Sequence, residues 1–352
     1  MDVPGYAAPS AKAPLEPFMV PRRDLGPHDV GIDIMFSGIC HSDIHQAREE
    51  WFTSIFPMVP GHEISGIVSG VGTEVTKYAV GDRVGVGCNV GSCGTCANCL
   101  RGEQSYCTKG AAPTYNGYET DGVTPTYGGY SSYVVTNEDF VFRIPDSIGL
   151  DVAAPLLCAG ITCYQPLAEW KAGPGVRVGI VGLGGLGHMG VKLAAAMGAE
   201  VSTLSRSAAK ADDAKALGSS NHIATSDKAA MREARGSFDL ILNTVSADLD
   251  MEAYLRLLRP NGALVNVGLP PSNLSVRPGS LIGGNKVISG SNIGGIGETQ
   301  EMLDFCAEHG IGATVERLDA SDTTTIDAAY DEVVAGTVRY RYVIDTSTII
   351  PG

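Results

Sequence analysis

The feature that most narrows what this chain can fold into is the run VRVGIVGLGGLGHMGVKLAAAMG at positions 176–198. An apolar strand pattern passes directly into Gly182-Leu183-Gly184-Gly185-Leu186-Gly187, and an apolar helical pattern follows. A G-x-G-x-x-G set alone arises by chance in a glycine-rich chain, and this one has 45 glycines. Between a strand and a helix, it is the opening turn of a nucleotide-binding βαβ unit. The first glycine permits the tight turn, the second lets a pyrophosphate approach the backbone, and the third lets helix pack on strand. The positive end of that helix then faces the phosphates. A dinucleotide and the sulfonium donor of methyltransferases both fit the motif taken alone.

The flanking sequence extends the pattern. EVSTLS, FDLILNTV, GALVNVG and KVISGS read as further strands, with helical segments at SAAKADDAKALG and MEAYLRLL between them. Strands alternating with helices give a parallel sheet. From about Val30 to Phe142 the texture is different: HEISGIVSGVG, VGDRVGVG, GGYSSYVV and DFVFRIP are short apolar runs punctuated by turn residues, which predicts a β-rich region. ETQEMLDFCAEH and RYRYVID near the C-terminus read as a helix and a strand. The chain is therefore α/β, with a Rossmann domain over 153–294 inserted into a β-rich domain made from 1–152 and 295–352.

The end of the second Rossmann strand discriminates between cofactors. NAD sites usually place Asp or Glu there, to accept from the ribose 2′-OH. This chain instead offers Ser205, Arg206, Ser207 and Lys210, hydroxyls and cations that suit the 2′-phosphate of NADP(H). A solvated helix start capped by Ser207 would use the same residues.

Four of the nine cysteines fall between positions 93 and 107 as Cys93-x2-Cys96-x2-Cys99-x7-Cys107. Four soft thiolates in one loop fit a closed, tetrahedral structural zinc site. The spacing matches ferredoxin runs poorly. A nucleic-acid-binding zinc module would need cations, and the window holds only Arg101 with Lys109 just beyond it, against Glu103. A second set, Cys40, His62 with Glu63, and Cys158, has the Cys₂His composition of a catalytic zinc with one position open. Its members lie far apart in sequence. Taken singly, Cys40 and Cys158 also read as buried small hydrophobes and His62 as a satisfied polar residue.

Charge excludes other classes. With 25 Lys and Arg against 39 Asp and Glu, the formal net charge is −14, so the basic footprint of a nucleic-acid binder is missing. The longest apolar stretches, roughly six to eight residues, fall well short of a bilayer span. No secretory leader is legible at the start, and the cysteine pattern asks for a reducing compartment; the expectation is a cytoplasmic protein without membrane or nucleic-acid partners.

Taken together, GICHSDIH, the GHE-x2-G-x5-G-x2-V match at Gly61, His62, Glu63, Gly66, Gly72 and Val75, the four-cysteine loop and GLGGLG resemble the zinc-dependent medium-chain alcohol dehydrogenases. FPMVPGHE, SRSAAK, ETQEMLDFCAEH and VRYRYVID are similar to the cinnamyl alcohol dehydrogenase branch, which includes bacterial NADP-dependent aldehyde reductases. The resemblance implies a GroES-like β-rich catalytic domain and two zinc ions per chain. Cys40, His62 and Cys158 would hold the catalytic ion with Glu63 as neighbour or alternate ligand, and Cys93, Cys96, Cys99 and Cys107 the structural one. Ser42 and His45 would relay the alcohol proton through the nicotinamide ribose, extended by Glu49 or Glu50. His41 would lie near the cofactor phosphates, and Ser291, Asn292 and Gly294 near the nicotinamide. A homodimer is implied as well.

The chemistry expected is reversible hydride transfer between NADP(H) and a primary alcohol or aldehyde, aromatic or medium-chain aliphatic. The same scaffold could serve a double-bond reductase or a lyase, but the complete ligand set and the Ser42 hydroxyl favour alcohol chemistry. Trp51, Phe52, Tyr115 and Ile293 are candidate pocket residues. Ala112 falls where the family places an aromatic, and SLIGGNKVISGSNIGG is unusually rich in glycine.

Overall fold

The computed structural model describes residues 1–350, which form two compact units: 1–158 with 294–350, and 159–293. Among the described residues no single helix is long and apolar enough to cross a membrane.

The first unit is built on a seven-stranded sheet. Its longest strand, Asp29–Gly38, pairs antiparallel with Ile64–Val71, Tyr133–Asn137 and Arg341–Asp345. Val30, Ile32 and Ile34 alternate with exposed Asp33 and pack with Ile64, Val68, Val84, Val86 and Val134 in one apolar cluster. Each such aliphatic side chain contributes about 1.5–3 kcal/mol on burial. A second cluster on this unit joins the hairpin Asp2–Ala7 with Glu16–Pro21 to the helix Thr323–Ala335 through Tyr6, Val20, Ile326, Tyr330 and Val333.

In the second unit six parallel strands are ordered Asn221–Ala224, Glu200–Ser205, Arg177–Val181, Phe238–Asn243, Leu258–Asn266 and Val287–Gly290. Numbered in chain order this is 3-2-1-4-5-6, the dinucleotide-binding arrangement whose direction reverses beside the first strand. Val178, Ile180, Leu240, Ile241, Leu242 and Leu264 are almost wholly buried, as expected for strands covered on both faces. The glycine loop leaves the first strand at that reversal and leads into the helix Gly187–Ala196. One predicted helix is shorter than expected: SAAKADDAKALG opens as a 3₁₀ turn, Ala208–Lys210, and becomes α-helical only over Ala211–Ala216. Ser207 sits at the cap position of that 3₁₀ turn without a side-chain capping bond.

Candidate active site

The catalytic-type ligand set is assembled by strand register. Ser37 stands opposite Ile64 in the antiparallel pair, so the residues just beyond, Cys40 on one strand's exit and His62-Glu63 on the other's entry, meet at the same end. Cys158 arrives on the far side of the buried turn Ala154–Leu157. The donor atoms of Cys40, His62, Glu63 and Cys158 all lie within 4.8 Å of one another, in residues no more than 7% exposed. The two sulfurs are 3.9 Å apart. Sulfurs about 2.3 Å from one tetrahedral zinc would be separated by about 3.8 Å, so the donor set fits that ion.

The electrostatics of the set are shaped by burial and by its own neighbours. A hydrogen bond between the two thiols holds Cys40 well below the usual thiol range and Cys158 well above it. Burial opposes a charge on His62, yet the Asp43 carboxylate raises the imidazole well above its ordinary value. Burial also pushes the Glu63 carboxyl up, against the opposing pull of Arg341. Arg341 donates to Glu63 Oε1, while Oε2 has no partner among the described residues, leaving one carboxylate oxygen available to a metal. Gly38 makes room for this side chain, since a Cβ there would lie 2.0 Å from Glu63 Oε2.

Asp43 and Arg341 receive no role from sequence alone. Asp43, fully buried, accepts from Cys40 N at 2.8 Å, Gly61 N at 3.0 Å and His62 Nδ1 at 3.1 Å. It thereby fixes the ring and leaves Nε2 for the metal. Both residues stand inside quoted motifs, GICHSD and RYRYVID, but only the folded register brings them to His62 and Glu63. Tyr115 stacks on His62 with ring centroids 5.7 Å apart.

The helix His41–Ala47 carries the relay candidates. Ser42 Oγ lies 3.6 Å from Cys40 Sγ. His45, one turn on, pairs through Nδ1 with Glu50 Oε2 at 2.7 Å and stacks on Trp51 at 4.5 Å. Glu49 instead accepts from Ser54 N at 3.0 Å, so Glu50 is the acid joined to His45. His41 opens the helix with its ring 6.0 Å from that of His45, and burial holds its imidazole below the ordinary value. Phe52 is exposed, and Ala112 is buried against Gly91 in a short two-stranded sheet.

The second thiolate set occupies a lobe with little core of its own. In its helix Ala97–Leu100 only Cys99 is buried. Cys93 and Cys96 sulfurs lie 3.9 Å and 3.5 Å from that of Cys99, and the four donor atoms lie within 4.8 Å. Backbone N–H groups, led by that of Cys99, bring the Cys96 thiol down to about 5, the ionised form a metal ligand needs.

The glycine loop fits a bound pyrophosphate. Gly182 has φ +93°, and a Cβ on Gly187 would lie 2.2 Å from the Gly182 carbonyl oxygen. A Cβ on Gly184 would meet nothing within 4 Å, so the small second glycine serves no packing of the protein itself. Gly185 and Leu186 complete the turn. Lys210 Nζ donates to Leu183 O at 2.9 Å, Ser205 Oγ donates to Ser207 O at 3.2 Å, and Arg206 and Ser207 are exposed. At the far end of this unit Ser291 Oγ donates to Gln165 Oε1 at 2.6 Å, followed by exposed Asn292 and, in the first unit, Gly294.

Residues 26–146 match the alcohol dehydrogenase GroES-like domain, and 185–308 the zinc-binding dehydrogenase domain. The chain is 55% identical over 347 residues to NADP-dependent alcohol dehydrogenase C of Mycobacterium tuberculosis, covering 99% of each. Its fold is similar to a cinnamyl alcohol dehydrogenase of Sorghum bicolor at TM-score 0.96 and 41% identity, over 100% of this chain and 99% of that one. It is also similar to CAD of Helicobacter pylori complexed with NADP(H), at TM-score 0.92 and 41% identity, over 99% and 100%. With both domains matched, two zinc-type donor sets and the dinucleotide loop in place, the chain belongs to the zinc-binding alcohol dehydrogenases, on their cinnamyl alcohol dehydrogenase-like branch.

Proposed function

We propose that the protein catalyses reversible hydride transfer between NADP(H) and primary alcohols or aldehydes, with the roles below assigned to its own residues. The observation that carries this reading is the buried Cys40–His62–Cys158 set with its spare Glu63 oxygen. When bound, zinc supplies Lewis-acid polarisation of the substrate oxygen and NADP(H) supplies or takes the hydride.

Cys40, His62 and Cys158 would hold the ion, and Asp43 would keep the imidazole in its ligating tautomer. Arg341, donating to Glu63 Oε1, would position that carboxyl beside the ion and oppose the effect of burial on it. Ser42, beside Cys40, would accept the proton of the substrate alcohol. His45, its side chain 22% exposed and braced by Glu50, would release that proton to solvent. Cys93, Cys96, Cys99 and Cys107 would close the structural lobe around a second zinc. Gly182, Gly184, Gly185, Leu186 and Gly187 would receive the pyrophosphate, and Ser205, Arg206, Ser207 and Lys210 the 2′-phosphate. His41, Ser291, Asn292 and Gly294 would complete the cofactor contacts.

The same reading makes the enzyme cytoplasmic and homodimeric. Nine thiols, eight of them in two metal sets or buried, suit a reducing compartment. The sheet of the second unit ends on Val287–Gly290, a strand paired on one side, which a second copy could extend.

The test is aldehyde-dependent oxidation of NADPH, followed by absorbance across aromatic and aliphatic aldehydes, before and after chelation and zinc restoration. Activity that is absent throughout, or unaffected by stripping the buried metal, would reject the assignment.

A further inference from the structure

His222 lies on Asn221–Ala224, where it stands opposite Thr203 in the parallel register with Glu200–Ser205. That placement brings its imidazole against the Ser205-Arg206-Ser207 turn. Nε2 is 3.0 Å from the Ser207 carbonyl oxygen and 3.3 Å from Ser205 Oγ. A carbonyl oxygen can only accept, so its partners assign the proton to Nε2. The same N–H reaches a lone pair of Ser205, whose own proton is directed to the Ser207 carbonyl 3.2 Å away. Nδ1 is buried with no partner among the described residues, so the ring's side-chain hydrogen bonding is directed wholly at this turn.

This arrangement has a consequence for anion binding. A hydroxyl has one proton and two lone pairs. With a lone pair of Ser205 facing the imidazole N–H, the hydroxyl proton is the group's remaining asset and can turn from the Ser207 carbonyl to a phosphate oxygen. The side chains of Arg206 and Ser207, by contrast, are exposed, and it is the Ser207 carbonyl oxygen that the imidazole holds. Pre-ordering a short turn lowers the entropy lost when a ligand is bound.

We propose that His222 is a positioning residue for cofactor selection, tying Ser205 to Ser207 so that the turn is set to receive a 2′-phosphate. The inference rests on the NADP(H) reading above and concerns a residue outside the loop that would touch the phosphate.

Calorimetric titration of the zinc-replete protein with adenosine 2′,5′-bisphosphate and with 5′-AMP tests it. His222→Ala should weaken the bisphosphate by about 3- to 10-fold, the range of one neutral hydrogen bond, and change AMP less than twofold. His222→Gln, whose amide N–H can stand in for Nε2–H, should recover most of the loss. Equal weakening of both ligands, or an unchanged bisphosphate affinity in His222→Ala, overturns the proposal while leaving the cofactor reading intact. A parent protein that binds the two ligands equally overturns both.

Discussion

Replacing Asp43 with Asn would keep the shape of the side chain and change one oxygen into an N–H donor. Three donors converge on the carboxylate: Cys40 N, Gly61 N and His62 Nδ1. An amide has one acceptor, so in either orientation its NH₂ faces a buried N–H. The unsatisfied donor costs about 1–3 kcal/mol, which should appear as lower folding stability. Loss of the charge-assisted bond to His62 is worth about 1.5–3 kcal/mol. This falls on the orientation and basicity of a metal ligand, equivalent to zinc held about 10- to 100-fold less tightly at the Cys40–His62–Cys158 set. The structural lobe shares no residue with Asp43 and should keep its ion. Titrating zinc out with a chromogenic chelator distinguishes the two sites: Asp43→Asn should release one ion per chain at markedly lower chelator and the other as in the parent. Simultaneous loss of both ions, or release indistinguishable from the parent, would refute the assignment of Asp43 to the buried site.

Other substitutions probe the remaining parts. Cys158→Ser should abolish aldehyde reduction with the fold retained, whereas Cys96→Ser should lower the melting temperature and solubility, because a closed four-thiolate site contributes folding free energy; equal melting temperatures with activity lost in both would reverse the roles. Gly187→Ala would place a Cβ 2.2 Å from the Gly182 carbonyl oxygen and should destabilise the second unit by about 1–3 kcal/mol. Gly184→Ala has open space and should leave thermal stability unchanged while weakening NADPH binding at least about tenfold, as direct titration would read. His45→Ala should slow alcohol oxidation near neutral pH by about 10²- to 10⁴-fold with little change in NADPH affinity; an unaltered pH–rate profile would place the proton exit elsewhere.

The parts of this architecture that were legible in the sequence are those encoded locally. The strand–glycine–helix run at 176–198 and the cysteine spacing at 93–107 each specify a structure within a few turns of chain. The hairpin Asp2–Ala7 is different: Pro4 and Gly5 are poor strand residues, and Gly5 is there because a Cβ would meet the Tyr130 carbonyl oxygen at 2.7 Å. The helix Thr323–Ala335 does carry a local signal, with Asp322 as cap, Ile326, Tyr330 and Val333 on one face, and Gly336 at φ +71°, which the sequence reading leaves unassigned. Cys40, His62 and Cys158 could be grouped only by composition and family resemblance, since strand register brings them together. Asp43, Arg341 and His222 meet Gly61 and His62, Glu63, and Ser207 across separations of 15 to 278 positions, a relation that no short-range pattern expresses. The choice between Glu49 and Glu50 likewise depends on the turn after the helix, which points Glu50 at His45 and Glu49 at Ser54.

The central claim is an NADP(H)-linked reduction, and the most direct measurement is kcat/KM for NADPH and for NADH with one aromatic aldehyde on the zinc-replete enzyme. The Ser205–Lys210 segment offers hydroxyls and cations and no carboxylate, so one or two charge-assisted contacts to the 2′-phosphate, about 1.5–3 kcal/mol each, should favour NADPH by at least about tenfold. Equal efficiency with the two cofactors, or a preference for NADH, would contradict the account.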